Sequence, residues 1–523
     1  MVASYVAALL EPDYAQWNLG ATNKPTSLTY TYLTKLPSIY TANMREANGF
    51  TAFTDAQKAA MAKIMASYSS VANLSFVEKA QTSTAASGVG QIALGNAYST
   101  SMSGWGYGPG TTIGGDMWMS TAKTGWNAPI AGQRPYWVMM HEFGHTLGLK
   151  HPGDYDAAGG QELGPFLPLG QDNQQYTVMS YKSHPTMGAV KPQTLQLYDI
   201  AAVQHLYGAN MSHMAGNDTY RLAGLNNYIA CFWDAGGIDT FDLTGETRAA
   251  TVDLNEGAFS SIGARGSNAA VNNISIAFGA KIENATGGNG NDRITGNALD
   301  NVLKGGAGDD ILSGMGGNDS IDGGTGTDTA LFRGRLADYA LALDGTTLVL
   351  TSGVDGTDRV VNVERFTFTD GTWTFGDLAA KAGAPPVVPP VSPTPPASIS
   401  GNLVTGTSAA DKLYGTNGVD IFTGGAGNDL LYSAKDGQAD IFVFGKASGA
   451  DRIFNFEPGI DRLDLTAYGI DSLTDTALKL TQGSSGAVLD FGGGHKLVLN
   501  GIAVVDLVGS KMFIESQTDY VPA

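Results

Sequence analysis

Cysteine is nearly absent from this 523-residue chain: Cys231 is the only one. An intrachain disulfide framework is excluded, so stability in an oxidising compartment would have to come from a packed core or bound metal. Cys231 lies in the apolar run 229–233, where a small buried hydrophobe is its expected role. Histidine is scarce, at seven residues. Positive charge is in deficit, with 30 Lys and Arg against 49 Asp and Glu and a net charge of −19. Such a chain lacks the basic surface that phosphate backbones require, so nucleic acid is not an expected partner. No uninterrupted apolar stretch is long enough to span a membrane. Residues 1–11 carry no basic region ahead of an apolar one, so no signal peptide is expected there.

What is present is concentrated. Three of the seven histidines fall in His141-Glu142-Phe143-Gly144-His145-Thr146-Leu147-Gly148-Leu149-Lys150-His151. On a helix, His141 and His145 lie on one face, one turn apart. Gly148 permits a left-handed turn that ends the helix and brings His151 back as a third ligand. Three neutral imidazoles suit one catalytic Zn²⁺ at about 2.0–2.1 Å, and Glu142 is placed to act as general base on a metal-activated water. A buried helix with satisfied core histidines is the plainer reading. The added Gly and third His in the HExxHxxGxxH pattern argue against it.

Downstream lies Gln175-Tyr176-Thr177-Val178-Met179-Ser180-Tyr181. With it, the chain resembles the metzincin zinc proteases, in which a Met-turn follows the third His. The runs His151-Pro152-Gly153-Asp154-Tyr155 and Val178-Met179-Ser180-Tyr181 narrow the resemblance to the serralysin family of secreted bacterial proteases. The resemblance implies that Met179 forms an apolar floor beneath the zinc. It also implies that Tyr181 is a movable fourth ligand that stabilises the transition state. The segment Trp233–Thr240 is similar to one that binds calcium in that family, with Gly216, Asp218, Gly236, Gly237 and Asp239 as its expected ligands. Tyr198-Asp199-Ile200-Ala201-Ala202 resembles the family too, and Asp199 is expected to be structural rather than a catalytic acid. The family carries a C-terminal signal for type I export, so the type I secretion machinery is an expected partner. The last residues, 517–523, depart from the usual ending of that signal.

From Gly287 to Leu331 a nine-residue unit repeats five times: GGNGNDRIT, GNALDNVLK, GGAGDDILS, GMGGNDSID and GGTGTDTAL. Position six is Asp292, Asn301, Asp310, Asp319 and Asp328, and position eight is always apolar. This is the pattern of a calcium-binding parallel β-roll. Six Gly-rich residues turn and offer oxygens to Ca²⁺, and three make a short strand with an inward aliphatic side chain. Expected calcium ligands are Gly287, Asn289 and Asp292; Gly305, Gly306, Ala307, Asp309 and Asp310; Gly314, Gly316 and Asp319; and Gly323, Gly324 and Asp328. The second unit, with Asn301, is the weakest. A shorter block follows, GTSAADKLY, GTNGVDIFT and GGAGNDLLY, with Asp411, Asp420, Gly424 and Asp429 as expected ligands. Without calcium the carboxylates repel one another, so the segment is expected to be disordered at cytosolic calcium and to fold outside the cell.

The expected fold class is an α+β zincin-like catalytic domain followed by an all-β parallel β-roll and β-sandwich-like modules. Residues 1–210 form the catalytic domain, 211–331 the β region with the first roll, and 332–380 a small β module. Residues 381–400 are a Pro-rich spacer, and 401–523 hold the second repeat block and a β-rich tail. Thr54 to Gln57 reads as a capping box, Pro135–Leu149 as the zinc helix, Gly114–Met119 as a strand, which the serralysin resemblance implies lines the substrate cleft, and Leu197–Tyr207 as a further helix. Trp105, Tyr107 and Trp118 are candidates either for substrate subsites or for core packing. The expected function is a secreted, monomeric zinc endopeptidase acting on proteins or peptides, with several structural calcium ions. The competing readings are a protease held at a cell-surface layer and a non-enzymatic calcium-dependent adhesin.

Overall fold

The computed structural model describes residues 3–10, 17–18, 22–110, 112–155, 163–383, 402–446, 448–468, 470, 478–492 and 494–507. The chain divides into two compact units, Met1–Val387 and Val388–Ala523, each with its own apolar core. The Pro-rich stretch beyond residue 383 and the segment 517–523 lie outside the described residues.

The first unit opens with a five-stranded sheet of β1 (Thr26–Tyr32), β2 (Leu74–Glu78), β3 (Ile92–Ala97), β4 (Gly104–Gly106) and β5 (Met117–Ser120), ordered β2-β1-β3-β5-β4. All neighbours are parallel except β4, which runs antiparallel to β5 and forms one edge. Helix α1 (Asp55–Val71) starts at a reciprocal cap: Gln57 N donates to Thr54 Oγ1 at 3.1 Å and Thr54 N to Gln57 Oε1 at 2.9 Å. Its buried Met61, Ile64, Met65 and Tyr68 recur at helical spacing. Helix α2 (Arg134–Thr146) carries a proline in its first turn and ends three residues before the expected limit. Gly148 follows at φ +97°, and Leu149 N returns to Gly144 O at 3.1 Å. Helix α3 (Leu197–Tyr207) stops at Gly208, φ +80°.

Two corrections concern strands. The strand expected over Gly114–Met119 begins at Met117 and is internal, with all four residues of β5 buried. The edge belongs to β4, because Gly104 and Gly106 let it lie directly on α2. A Cβ on Gly106 would stand 2.3 Å from the Glu142 carbonyl oxygen. Trp105 and Trp118 are core residues, at 5% and 0% exposure.

Beyond α3 the chain winds into a parallel roll. Odd repeats place Arg293–Thr295, Ile311–Ser313 and Thr329–Leu331 in one sheet, and even repeats place Val302–Ala307 and Ser320–Thr325 in the other. The inward Ile294, Leu303, Leu312, Ile321 and Ala330 are 0–1% exposed. Burying each of the four larger ones stabilises the roll by about 1.5–3 kcal/mol. The roll extends past both ends of the repeats. Thr240–Asp242 and Thr251–Asp253 pair in parallel before them, and Gly356–Val361 and Arg365–Phe368 after them. Residues 332–380, expected as a separate module, therefore continue the same two sheets.

The second unit repeats this plan. Asn402–Thr405, Asp420–Thr423, Ile441–Val443 and Arg462–Asp464 form one parallel sheet. Lys412–Tyr414, Leu430–Tyr432, Ala450–Phe454 and Lys496–Asn500 begin the other, which the antiparallel Gly486–Asp490 and Lys479–Gly483 complete. It is a second roll rather than a short block followed by a β-sandwich-like module.

Candidate metal centre

Helix α2 sets His141 and His145 on one face, and the turn at Gly148 returns His151 to them. The three Nε2 atoms stand 3.1–3.2 Å from one another. Two ligands on a tetrahedral zinc at 2.0–2.1 Å lie about 3.3–3.4 Å apart, so this triangle matches a zinc donor set. Backbone oxygens fix two of the rings from behind. His141 Nδ1 lies 2.9 Å from Val178 O, and His145 Nδ1 lies 2.8 Å from Leu149 O. Each Nδ1 is thereby assigned the proton, leaving the Nε2 lone pair inward. Burial first, then the neighbouring imidazole, pushes His141 down to about 3 and holds His145 well below its usual range. Both are neutral at physiological pH, as metal ligation requires.

The other expected residues gather around this triangle. Glu142 is 8% exposed, and its Cγ lies where a side chain on Gly104 of β4 would come within 2.9 Å. Tyr181 is 40% exposed, its ring centroid 4.7 Å from that of His151 and 5.5 Å from that of His141. Met179 is fully buried, and a Cβ on Gly144 would stand 2.7 Å from its Sδ. Gly144 therefore gives the Met-turn its close approach to the helix. Asp199 is buried and accepts from Thr177 Oγ1 and from the N–H groups of Val178 and Gln196. Burial pushes its carboxyl up to about 7 against these hydrogen bonds. Tyr107 is half-buried, and its hydroxyl shares Glu46 Oε1 with the Trp105 indole.

The repeat carboxylates form ladders. The backbone N–H of Asp292 donates to Asp310 Oδ1 and that of Asp310 to Asp328 Oδ1, while Asn301 N donates to Asp319 Oδ1. The second oxygen, Oδ2, of Asp310, Asp319 and Asp328 is buried without a protein partner. A Cβ on Gly305 would lie 2.3 Å from Gly323 O and 2.4 Å from Asp310 Oδ2. Carbonyl and carboxylate oxygens thus converge on one small space, a cradle of hard ligands that fits Ca²⁺. Asn301 instead engages protein groups, donating from Nδ2 to Glu283 O and accepting from Asn297 N. Asn289 and Asp309 are exposed, and Asp309 Oδ1 accepts from Thr327 N. Asp411 is partly exposed and its carboxyl is lowered by hydrogen bonds from Thr407.

Asp218 and Asp239, both expected, are joined by Asp234, which was not: the three bring ligand oxygens within 4.8 Å of one another, and Asp239 Oδ2 is unpartnered. Further unexpected carboxylates join the ladders. Asp358 continues the even ladder by accepting from Asp319 N. In the second unit Asp440, Asp451 and Asp461 accept from Asp420 N, Asp429 N and Asp440 N. The Oδ2 atoms of Asp429 and Asp440 are unpartnered. The signal available in the sequence was the triplet of Asp, any residue and a large apolar residue, as in Asp440-Ile441-Phe442 and Asp451-Arg452-Ile453.

The family described as peptidase M10 serralysin C terminal matches residues 198–374, and the RTX calcium-binding nonapeptide repeat matches residues 400–435. Metallopeptidase AprA of Pseudomonas marginalis is 39% identical over 308 residues, covering 54% of this chain and 62% of its own length. Metalloprotease AprA of Pseudomonas entomophila (strain L48) is 38% identical over 373 residues, covering 66% of this chain and 74% of its own. Serralysin of Proteus mirabilis is 36% identical over 283 residues, 48% of this chain and 56% of its own. The chain thus spans less than two thirds of the first and third of these relatives. The solved extracellular lipase LipA of Serratia marcescens matches at 20% identity over 46% of this chain and 39% of its own, with a TM-score of 0.17, too low to bear on the fold. On the strength of the match to three quarters of an AprA metalloprotease, the chain belongs to the serralysin family of RTX metalloproteases.

Proposed function

We propose that this protein is a secreted zinc endopeptidase of metzincin type whose β-rolls are held by calcium. The observation that carries the reading is the triangle of three inward Nε2 atoms at 3.1–3.2 Å, with Glu142 beside it. His141, His145 and His151 would hold the metal, and Met179 would floor it. A zinc ion bound there supplies a Lewis acid that acidifies water and polarises a peptide carbonyl. Glu142 takes a proton from the attacking water on its carboxylate and delivers it to the leaving amine nitrogen. The Tyr181 hydroxyl donates to the carbonyl oxygen as negative charge develops there. Edge strand β4 offers main-chain groups to an extended substrate, so unfolded protein is the favoured substrate class. A closed structural zinc site would need four firm ligands; three with a half-exposed tyrosine favour an enzyme over an adhesin.

The calcium role extends from the expected residues to Asp234, on the support of its cluster with Asp218 and Asp239, and to Asp358, Asp440, Asp451 and Asp461, on the support of the ladder pattern. Folding driven by millimolar calcium outside the cell is compatible with export of an unfolded chain. Casein hydrolysis by purified protein, before and after chelation and on zinc restoration, tests the reading. Activity that survives complete zinc removal would overturn it.

A further inference from the structure

One buried carboxylate grips the chain on both sides of Tyr181. Asp172 is 2% exposed. Its Oδ1 accepts from Ser180 Oγ at 2.7 Å and from the Tyr155 hydroxyl at 2.6 Å, and its Oδ2 accepts from Lys182 Nζ at 2.5 Å. Ser180 and Lys182 are the residues immediately before and after Tyr181. Tyr155 packs its ring on Tyr181 at 4.9 Å between centroids and on His151 at 5.6 Å, and its hydroxyl also reaches Ser180 Oγ at 3.2 Å. Gln174 closes the loop, its N–H on Lys182 O at 3.0 Å and its Nε2 on Ser180 O at 3.1 Å. The cluster leaves no room at Gly153, where a Cβ would stand 2.4 Å from Tyr155 Cε1 and 2.8 Å from Asp172 Oδ2.

The main chain around Tyr181 is thus tied down while its side chain keeps an open, solvent-facing side. A tyrosine that must approach and leave a metal by side-chain rotation needs this division: a fixed pivot and a ring with one face open to solvent. The Lys182 ion pair alone contributes little, because Lys182 is half-exposed. The buried hydroxyl donors on an ionised acceptor are the stronger ties.

We propose that Asp172 is a positioning residue for Tyr181, fixing the pivot from which the phenol reaches the metal and the developing oxyanion. This rests on the reading of Tyr181 as a movable ligand. The plainer alternative is that Asp172 only stabilises the loop, and the two differ in whether its effect runs through the phenol.

The test uses the full chain as Asp172→Ala, Asp172→Asn, Tyr181→Phe and the Asp172→Ala/Tyr181→Phe double variant. Peptide hydrolysis gives kcat and KM. Replacement of zinc by copper(II) gives the phenolate-to-copper charge-transfer band, a signature of tyrosine ligation independent of turnover. Asp172→Ala should lower kcat by about 10- to 100-fold, the scale of a misplaced catalytic group, with little change in KM or zinc content. It should also weaken the band. Asp172→Asn, which keeps one acceptor oxygen, should retain more of both. In the Tyr181→Phe background Asp172→Ala should cost nothing further. If Asp172→Ala does not fold, Tyr155→Phe/Ser180→Ala removes the two hydroxyl ties with the ion pair left in place, and should show the same pattern. Equal losses in both backgrounds, or a wild-type band that persists undiminished in the Asp172 variants, would overturn the proposal. A wild type with no band at all would overturn the Tyr181 reading itself.

Discussion

Asp199 supports His141 across a single intervening residue: its Oδ2 accepts the N–H of Val178 at 2.7 Å, and the carbonyl oxygen of Val178 faces His141 Nδ1 at 2.9 Å. A buried carboxylate on one helix thereby orients a metal-facing imidazole on another. Asp199→Ala strands the Val178 and Gln196 donors in the core, at about 1–3 kcal/mol each. Urea unfolding should show that loss, and zinc should dissociate faster. Asp199 also gives a pH signature. Its folded carboxyl, near 7 against an ordinary 3.8, keeps a proton that the unfolded chain has released. Its stabilising contribution is full below about pH 4 and is lost as pH rises through 7. Wild type should lose stability across that window relative to Asp199→Asn; parallel pH profiles would contradict the assignment.

Gly106→Ala tests the seat of the edge strand. The added methyl meets the Glu142 carbonyl oxygen, a backbone atom that cannot turn aside. Overpacking of this kind costs about 1–3 kcal/mol and should lift β4 off α2. Weaker peptide binding, with zinc content unchanged, is the expected result in steady-state kinetics and metal analysis.

The calcium ladders predict a proton count. Burial and neighbouring carboxylates raise Asp310 and Asp461 to about 6 and Asp440 to about 7, and burial first raises Asp451 to about 7. The metal-free rolls therefore bind more protons than the unfolded chain between about pH 4 and 7, and lose stability as pH rises through that range. On the proposed calcium reading, Ca²⁺ replaces those protons. Calorimetry in buffers of different ionisation enthalpy should show proton release on calcium binding at pH 6 and much less at pH 8. Equal heats in all buffers at pH 6 would argue against carboxylate ligands in these ladders.

How much was legible beforehand follows from locality. The zinc motif is contiguous, so helical spacing and one glycine sufficed to bring three imidazoles together. The nonapeptides were visible because their period is strict. Where turns change length the period disappears: Asp420 bonds Asp440 across 20 residues, Asp440 bonds Asp461 across 21 and Asp429 bonds Asp451 across 22, in place of 18. Asp319 and Asp358, 39 residues apart, are separated by a whole hairpin. Strand β4 was hidden because Gly-Trp-Gly is too short to alternate, and its position depends on what the glycines allow to approach. Asp172 gave no signal either, since its partners are brought to it only by the fold.

Division into two units predicts that the second is dispensable for chemistry. The histidine triangle, Glu142, Tyr181, Asp172 and Asp199 all lie in Met1–Val387, whose core is its own. A fragment ending there should bind zinc and hydrolyse casein with the kcat/KM of the full chain. A large loss of zinc or turnover would show that the site depends on the second roll.

The most direct measurement pairs casein turnover with zinc content in wild type and Glu142→Ala. The account predicts one zinc per chain in both proteins, with turnover reduced by at least about 10²–10⁴-fold in the variant. Near-normal turnover in Glu142→Ala, or active wild-type protein without stoichiometric zinc, would contradict it.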